Sequence, residues 1–409
     1  MVHCAPHSVP PIPTPNAVSS NQRNLVAACA AISVFGLAFG MTYPLLSLIL
    51  ESRGVPSTMI GINASMSTLG IVVFSPFIPA ISKRVGARRV ALIAAALTAL
   101  SMPALKFFSS LEAWFVLRFL QGASMAVLWA LSEAWIVRFA ADHSRGRVVA
   151  IYSSVLSASF GIGPLVVGVI GIGGWLPFLI GTAALVVGMI PLSLVRDEDT
   201  TEPEESAPSG LLDFAPRAPL LLSCVAVFAI FDAATLSLLP VYGIHNGLEL
   251  GQSAHLLSAM VLGNVVMQYP IGWLADRFPK RIVLASCAVV TALLLGVFPM
   301  MVATFWMWPA IVLIGACGYG VYTVSLADLG DRFSGIQLVN GAASFAAMWG
   351  MGAFLGSVSG GWAMAGSAVW GLPGYLGICY LLLGVGLYLR QHHRSASRLG
   401  SAQTDGSIR

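Results

Sequence analysis

Apolar residues in this chain fall into twelve runs separated by short polar breaks, near 25–50, 58–81, 90–109, 112–137, 148–171, 174–195, 218–242, 254–274, 282–303, 307–327, 339–364 and 370–390. Each run holds about twenty residues, the length an α-helix needs to cross the hydrocarbon of a bilayer. The pattern predicts an all-α integral membrane protein with twelve transmembrane helices. Charge supports the count. When the breaks are assigned alternately to two sides, 18 of the 21 Lys and Arg fall on one of them: Arg23, Lys83, Arg84, Arg88, Arg89, Arg138, Arg145, Arg147, Arg196, Arg217, Arg277, Lys280, Arg281, Arg332, Arg390, Arg394, Arg398 and Arg409. Arg53 and Lys106 fall on the other, and Arg118 lies inside a run. Positive residues are retained in the cytoplasm, so both termini are expected there. One helix too many or too few would scramble every later break.

Composition narrows the class. Of 409 residues, 9% are charged and 57% hydrophobic, too little charge to clothe a soluble protein of this size. The net charge of +4 does not point to nucleic acid, because the positive residues sit in short loops where lipid headgroups are the natural contact. Residues 1–22, rich in Pro, Ser and Asn, lack the apolar core of a cleavable leader and read as a disordered cytoplasmic tail. Residues 391–409 read as a second cytoplasmic tail. Cys29, Cys224, Cys287, Cys317 and Cys379 lie in apolar runs and Cys4 in the tail, a pattern of small packing residues rather than disulfides or metal ligands. There is no G-x-x-x-x-G-K phosphate loop, and the histidines at 3, 7, 143, 245, 255, 392 and 393 form no ligand set. Neither an enzyme nor a cofactor is implied. The short loops suit the inner membrane of a bacterium, and a monomer is expected.

One break is longer. Residues 196–217 carry Arg196, Asp197, Glu198, Asp199, Glu202, Glu204 and Glu205 with Pro203, Pro208 and Pro216, and read as a flexible cytoplasmic linker. It separates six spans in 23–195 from six in 218–390. The halves echo each other at a shift of 193: Ile81-Ser82-Lys83-Arg84 with Leu274-Ala275-Asp276-Arg277, Gly122 with Gly315, Ser132 with Ser325, Gly163 with Gly356, and Gly168 with Gly361. Pro44 and Pro240 correspond at 196. Each half has an even number of spans, so the two are parallel repeats related by an axis along the membrane normal. A solute path is expected between them, near mid-membrane.

After the second span of the second half comes Gly272-Trp273-Leu274-Ala275-Asp276-Arg277-Phe278-Pro279-Lys280-Arg281, and the first half has Pro79-Ala80-Ile81-Ser82-Lys83-Arg84-Val85-Gly86-Ala87-Arg88-Arg89 at the equivalent place. These resemble the loop motif G-x-x-x-D-R-x-G-R-R of the major facilitator superfamily. Pro79, Lys83 and Pro279 depart from it. The resemblance covers nearly the whole chain and implies that Lys83, Arg84, Asp276 and Arg277 form a cytoplasmic gate that latches neighbouring helices in one conformation. Plain anchoring by positive residues is the competing account. Ser159-Phe160-Gly161-Ile162-Gly163-Pro164-Leu165-Val166-Val167-Gly168 resembles part of a motif of proton-driven exporters in that superfamily, although close packing of small residues would produce much of it.

The fourth span holds Arg118-Phe119-Leu120-Gln121-Gly122, similar to the family's R-x-x-Q-G motif. A charge in hydrocarbon costs at least about 2.5–3.5 kcal/mol, so it faces a polar cavity or a partner. Arg118, Gly122, Met125, Trp129 and Glu133 step along one helical face, joined by Gln121 and Ser132, and that face is expected to line the cavity. The alternatives are that Arg118 neutralises a neighbouring group for folding, and that Glu133 pairs with Arg138. Asp232, in the seventh span, is a candidate proton carrier, since apolar surroundings penalise a charged carboxylate; it is equally a candidate permanent partner for Arg118. Tyr43, Asn264, Gln268, Tyr319, Tyr322 and Trp349 complete a candidate lining in which rings stack on a flat solute and amides bond it. Trp114, Trp306 and Trp308 read as interfacial anchors.

The expected function is secondary transport of a small organic solute by alternating access, with Arg118, Glu133 and Asp232 for coupling, protons as a candidate partner, and Tyr43, Arg118, Gln121, Trp129, Asn264, Gln268, Tyr319 and Tyr322 for solute contact. Ser132-Glu133-Ala134-Trp135 followed by Arg145-Gly146-Arg147 looks like a bacterial branch similar to major facilitator riboflavin importers. That resemblance implies riboflavin uptake. Proton-driven efflux of amphipathic compounds and a membrane sensor that transports nothing are the competing expectations.

Overall fold

A computed structural model of the chain describes residues 15–139, 145–194 and 214–405. Residues 1–14, the acidic stretch 196–205 and the side chains of Arg138, Arg145 and Arg147 lie outside the described residues, and so do the expectations placed on them. Among the described residues twelve helices are long and apolar enough to cross a membrane, and the chain is a multi-pass membrane protein. They are α1 (Pro15–Ser52), α2 (Ser57–Val85), α3 (Ala87–Phe107), α4 (Leu111–Phe139), α5 (Arg145–Ile170), α6 (Leu176–Ser193), α7 (Pro219–His245), α8 (Leu250–Arg277), α9 (Lys280–Met301), α10 (Met307–Arg332), α11 (Ile336–Gly366) and α12 (Gly371–Asp405). In hydrocarbon backbone polar groups must be bonded within the protein, and helices do this, α2 passing through a 3-10 turn at Ser75–Phe77.

The same neighbours pack in each half. α1 lies against α4, α5 and α6, as α7 lies against α10, α11 and α12; α2 lies on α4, as α8 lies on α10; α3 lies on α4 and α6, as α9 lies on α10 and α12. The halves meet along α2–α11 and α5–α8, an equivalent pair, and along α1–α7. Lipid gives helices no hydrophobic reason to associate, so close approach at small residues must hold them together. A Cβ on Gly70 would overlap the carbonyl oxygen of Phe119, and one on Gly263 would overlap that of Val312. Gly122 rests in the same way on Ser67, and Gly315 on Met260. Every residue of each second contact lies 193 beyond its counterpart, so the repeat seen in the letters is a repeat of contacts.

The seam is closest at the end opposite the basic loops. There Gly61 lies on Ser357, Gly361 on Ser57 and Thr58, and Gly168 on Gly251 and His255. Glu51 at the end of α1 meets His245 at the end of α7 at 2.7 Å. Toward the basic end the contacts across the seam are carried by side chains, Val72 against Gly350 and Trp129 against Trp349.

Four details correct the expectations. α1 begins at Pro15 and α12 runs to Asp405, inside both stretches read as tails. The linker is anchored before it ends: Phe214 is 1% exposed, packed with Leu221, Leu222, Leu329 and Phe345, with its ring 5.0 Å from that of Phe333. Trp114 is not a lipid-facing anchor. It is fully buried and its indole N–H donates to the carbonyls of Leu105 and Phe108 at 3.0 and 2.8 Å, tying the α3–α4 turn. Trp306 is exposed and Trp308 half-buried. Finally, Gly86 closes the one-residue α2–α3 turn at φ +95°, a conformation that favours glycine, whereas Pro279 starts α9 at φ −52°, so its turn needs no glycine.

Candidate functional site

Arg118 stands about two turns into α4 and is 2% exposed. Its guanidinium carbon lies 4.8 Å from the centroid of the Tyr43 ring on α1. Nη1 donates to Gln121 Oε1 at 3.5 Å, and Nε is buried without a hydrogen-bond partner. No carboxylate among the described residues pairs with it. Gln121 is itself 1% exposed, and its Nε2 donates to Ser101 Oγ of α3 at 3.2 Å. Both ends of that amide are spent inside the first half, where it steadies Arg118. Gly122 is a packing position against α2 rather than a lining position.

Further along α4, Trp129 Nε1 donates to Glu133 Oε1 at 2.6 Å, and Glu133 remains exposed. Ser132 Oγ lies 3.0 Å from the Tyr152 hydroxyl of α5. The other half answers with Asp232 on α7, 8% exposed, which accepts a hydrogen bond from the Tyr319 hydroxyl at 2.9 Å. The Trp349 indole N–H faces the same carboxylate. Phe228 and Phe231 hold the Tyr319 ring edge-on at 5.7 and 5.8 Å, and Tyr322 stacks on Phe228 at 4.6 Å. Tyr43 is within electrostatic reach of both Arg118 and Asp232, and Tyr322 of both Asp232 and Glu133. The Trp129 and Trp349 rings, one from each half, are 6.1 Å apart at 51°.

One seam therefore gathers an unpaired cation, a hydrogen-bonded carboxylate, an accessible carboxylate and a wall of rings drawn from α1, α4, α7, α10 and α11. Arg118 and Asp232 do not form the permanent pair weighed above. Asn264 and Gln268 are half-buried on α8, on the side of Val261, which meets Gly161 of α5; neither makes a hydrogen bond among the described residues. Their amides remain available, as a solute contact requires. The stretch Ser159–Gly168 serves packing: Gly163 lies on the backbone of Gly40 and Met41, and Gly168 against His255.

At the basic end, Lys83, Arg84, Asp276 and Arg277 are all exposed. Arg277 lies 4.1 Å over Trp273 of its own helix, and Asp276 forms no ion pair among the described residues. The pairs found there are Lys280 with Asp331, and Arg332 with Asp328 at 2.5 Å, both inside the second half. Sequence reasoning passed over Asp328 and Asp331, although Asp328 and Arg332 stand at i and i+4 at a helix end, a visible signal. Ser101 and Tyr152 gave none, since nothing in the letters says which span lies beside α4. The Glu51–His245 contact, between residues 194 apart, was equally silent.

The Major Facilitator Superfamily model matches residues 28–345 and 247–407. Among curated proteins, an uncharacterised MFS-type transporter, YfkF of Bacillus subtilis, is 25% identical over 342 residues, covering 81% of this chain and 86% of its own. YcaD of Salmonella typhimurium, also an uncharacterised MFS-type transporter, is 25% identical over 326 residues, covering 79% and 84%. Among solved structures, the nucleoside transporter NupG aligns over 90% of this chain and 98% of its own with TM-score 0.72 at 12% identity. A bacterial homologue of the human lysosomal transporter Spinster, inward-facing and unoccupied, aligns over 90% and 96% with TM-score 0.71 at 11% identity. With a family match across most of its length and a fold shared with known carriers, the chain belongs to the Major Facilitator Superfamily and is a transporter of a small solute, not an enzyme.

Proposed function

We propose that this transporter imports riboflavin across the bacterial inner membrane by alternating access, with its basic loops and both termini in the cytoplasm. The observation that carries the reading is the pair of buried charges, Arg118 against the Tyr43 ring and Asp232 against the Tyr319 hydroxyl, one on each half and not paired with each other. Tyr43, Trp129, Tyr319, Tyr322 and Trp349 supply rings that can stack on a flat solute, and the unbonded Asn264 and Gln268 amides supply groups that can bond its edges. On this orientation the tight end of the seam is external, and the molecule faces inward. Lys83, Arg84, Asp276 and Arg277 then act as the cytoplasmic gate in the opposite conformation. A riboflavin auxotroph expressing the chain should grow on low external vitamin, and uptake of labelled riboflavin should resist excess uridine, the control suggested by the nucleoside carrier of the same fold. Failure of growth with the protein present in the membrane would remove riboflavin. Lowered dye accumulation in cells without other pumps would instead indicate export.

We infer proton coupling through Asp232. The donors that face it, the Tyr319 hydroxyl and the Trp349 indole N–H, are both neutral, so the carboxylate can gain and lose a proton without breaking an ion pair. Asp232→Asn should retain downhill uptake while losing accumulation driven by a pH gradient, and Tyr319→Phe should weaken accumulation in the same direction. Unchanged gradient-driven accumulation in Asp232→Asn would assign coupling elsewhere.

A further inference from the structure

At the end of the seam away from the basic loops, where glycines bring the halves close, one ion pair among the described residues joins them. Glu51 closes α1, His245 closes α7, and Oε1 and Nε2 are 2.7 Å apart, with side chains 19% and 25% exposed. The contact is reachable by water and yet joins the two bodies that must part for the seam to open. Its other surroundings do not compete. On the α1–α2 turn, Arg53 is drawn away: its guanidinium lies 4.6 Å over the Trp114 ring and donates to the Ser109 carbonyl at 2.9 Å. On α8, Glu249 is committed to capping its own helix with Gln252, and His255 lies against Gly168 of α5. The turns of α2, α10, α11 and α12 at this end contain no Asp, Glu, Lys, Arg or His. Asn246, next to His245, ties the α7 terminus to the Ala368 carbonyl at 3.0 Å and positions the ring.

We propose that Glu51 and His245 form a pH-responsive clasp that favours closure of this face when the surrounding medium is acidic. Histidine ordinarily changes charge between roughly pH 5 and 8. When protonated it adds the attraction of opposite charges to its hydrogen bond with Glu51, whereas at higher pH only the carboxylate's own charge supports that bond. Acid therefore closes the clasp and alkali loosens it. A proton arriving on this face then helps drive the carrier toward the state open to the basic side, independently of the solute. The clasp's external location rests on the orientation proposed above.

Labelling tests both separately. Ser57 is 7% exposed and lies in the closed seam against Gly361, whereas Thr304 is exposed in the α9–α10 loop on the same face. Intact cells carrying Ser57→Cys or Thr304→Cys are treated with a membrane-impermeant maleimide, with the parent protein as background for native thiols. Labelling of Thr304→Cys from outside confirms orientation; its absence overturns the external assignment without touching the clasp, which the same reagent then probes in inverted vesicles. The ratio of Ser57→Cys to Thr304→Cys labelling cancels the pH dependence of thiol reactivity. It should rise about two- to fivefold between pH 5.5 and pH 8, the range that partly exposed ion pairs bring to an equilibrium. Glu51→Gln and His245→Gln should give a high, flat ratio, and His245→Lys a low, flat one. A flat ratio in the unmodified clasp, or a pH response that survives His245→Gln and disappears in His255→Gln, overturns the proposal.

Discussion

Arg118→Ala, present in the membrane at the level of the unmodified protein, should slow solute uptake roughly 10- to 150-fold. The figure follows from the net worth of a hydrogen bond to a charged group, about 1.5–3 kcal/mol, at about 1.4 kcal/mol per tenfold. Arg118→Lys should fall between, because a point charge on a flexible stem keeps the attraction but loses the planar fork and the delocalised contact with the Tyr43 ring. The decisive control needs no solute. A buried guanidinium with no counter-charge and an unbonded Nε carries a desolvation penalty that the Tyr43 ring and a 3.5 Å contact to Gln121 offset only in part. Arg118→Met, similar in volume and apolar, should therefore unfold at an equal or higher temperature in detergent while transport collapses. Had the residue been kept to neutralise a neighbour for folding, the same change would destabilise by several kcal/mol. A clear drop in unfolding temperature would move Arg118 from the transport machinery to the scaffold.

How far the letters reach is shown by which contacts they name. Twelve spans, their order and the parallel repeat were legible because membrane insertion is written in one dimension, as apolar length and the side on which Lys and Arg stop. Gly122 and Gly315 were legible as a pair because the same close approach is built twice. Their purpose was not: a glycine on the Arg118 face looked like space in a cavity, and the three-dimensional neighbour, Ser67, shows it to be a helix crossing. Gln121 was legible only in part for the same reason, since a polar residue in a span announces a partner without saying that the partner is Ser101. Arg118 and Asp232 were legible as exceptional because hydrocarbon makes any charge exceptional. Whether they paired with each other depended on the side chains between them. The structure gives Arg118 the Tyr43 ring and Asp232 the Tyr319 hydroxyl, a division that no spacing along one helix encodes.

Gly122→Ala and Gly315→Ala should each cost about 1–3 kcal/mol or more and, being equivalent, should cost similar amounts. At both sites the added carbon meets a backbone carbonyl, of Ser67 and of Met260, and neither carbonyl can turn aside while it remains in its helix. The crossing helices must separate instead, and α2–α4 and α8–α10 are among the closest contacts within the two halves. Separation forfeits dispersion along the whole crossing, in a solvent that supplies no hydrophobic compensation. Less monodisperse protein and a lower unfolding temperature after detergent extraction are the expected readouts. Gly296→Ala on α9 is the control: a Cβ there meets nothing within 4 Å, so stability should stay within about 0.5 kcal/mol. Gly122 lies in the same turn as Arg118 and Gln121, and Gly315 stands one turn before Tyr319, so each loss should also disturb transport, the first through the buried cation and the second through the donor to Asp232. Equal loss of stability with unequal loss of transport would separate the role of the repeat, which builds the bundle, from that of the residues at the seam, which break its symmetry. If Gly122→Ala were tolerated and Gly315→Ala were not, the two crossings would not be equivalent, and the repeat of contacts would lose its physical meaning.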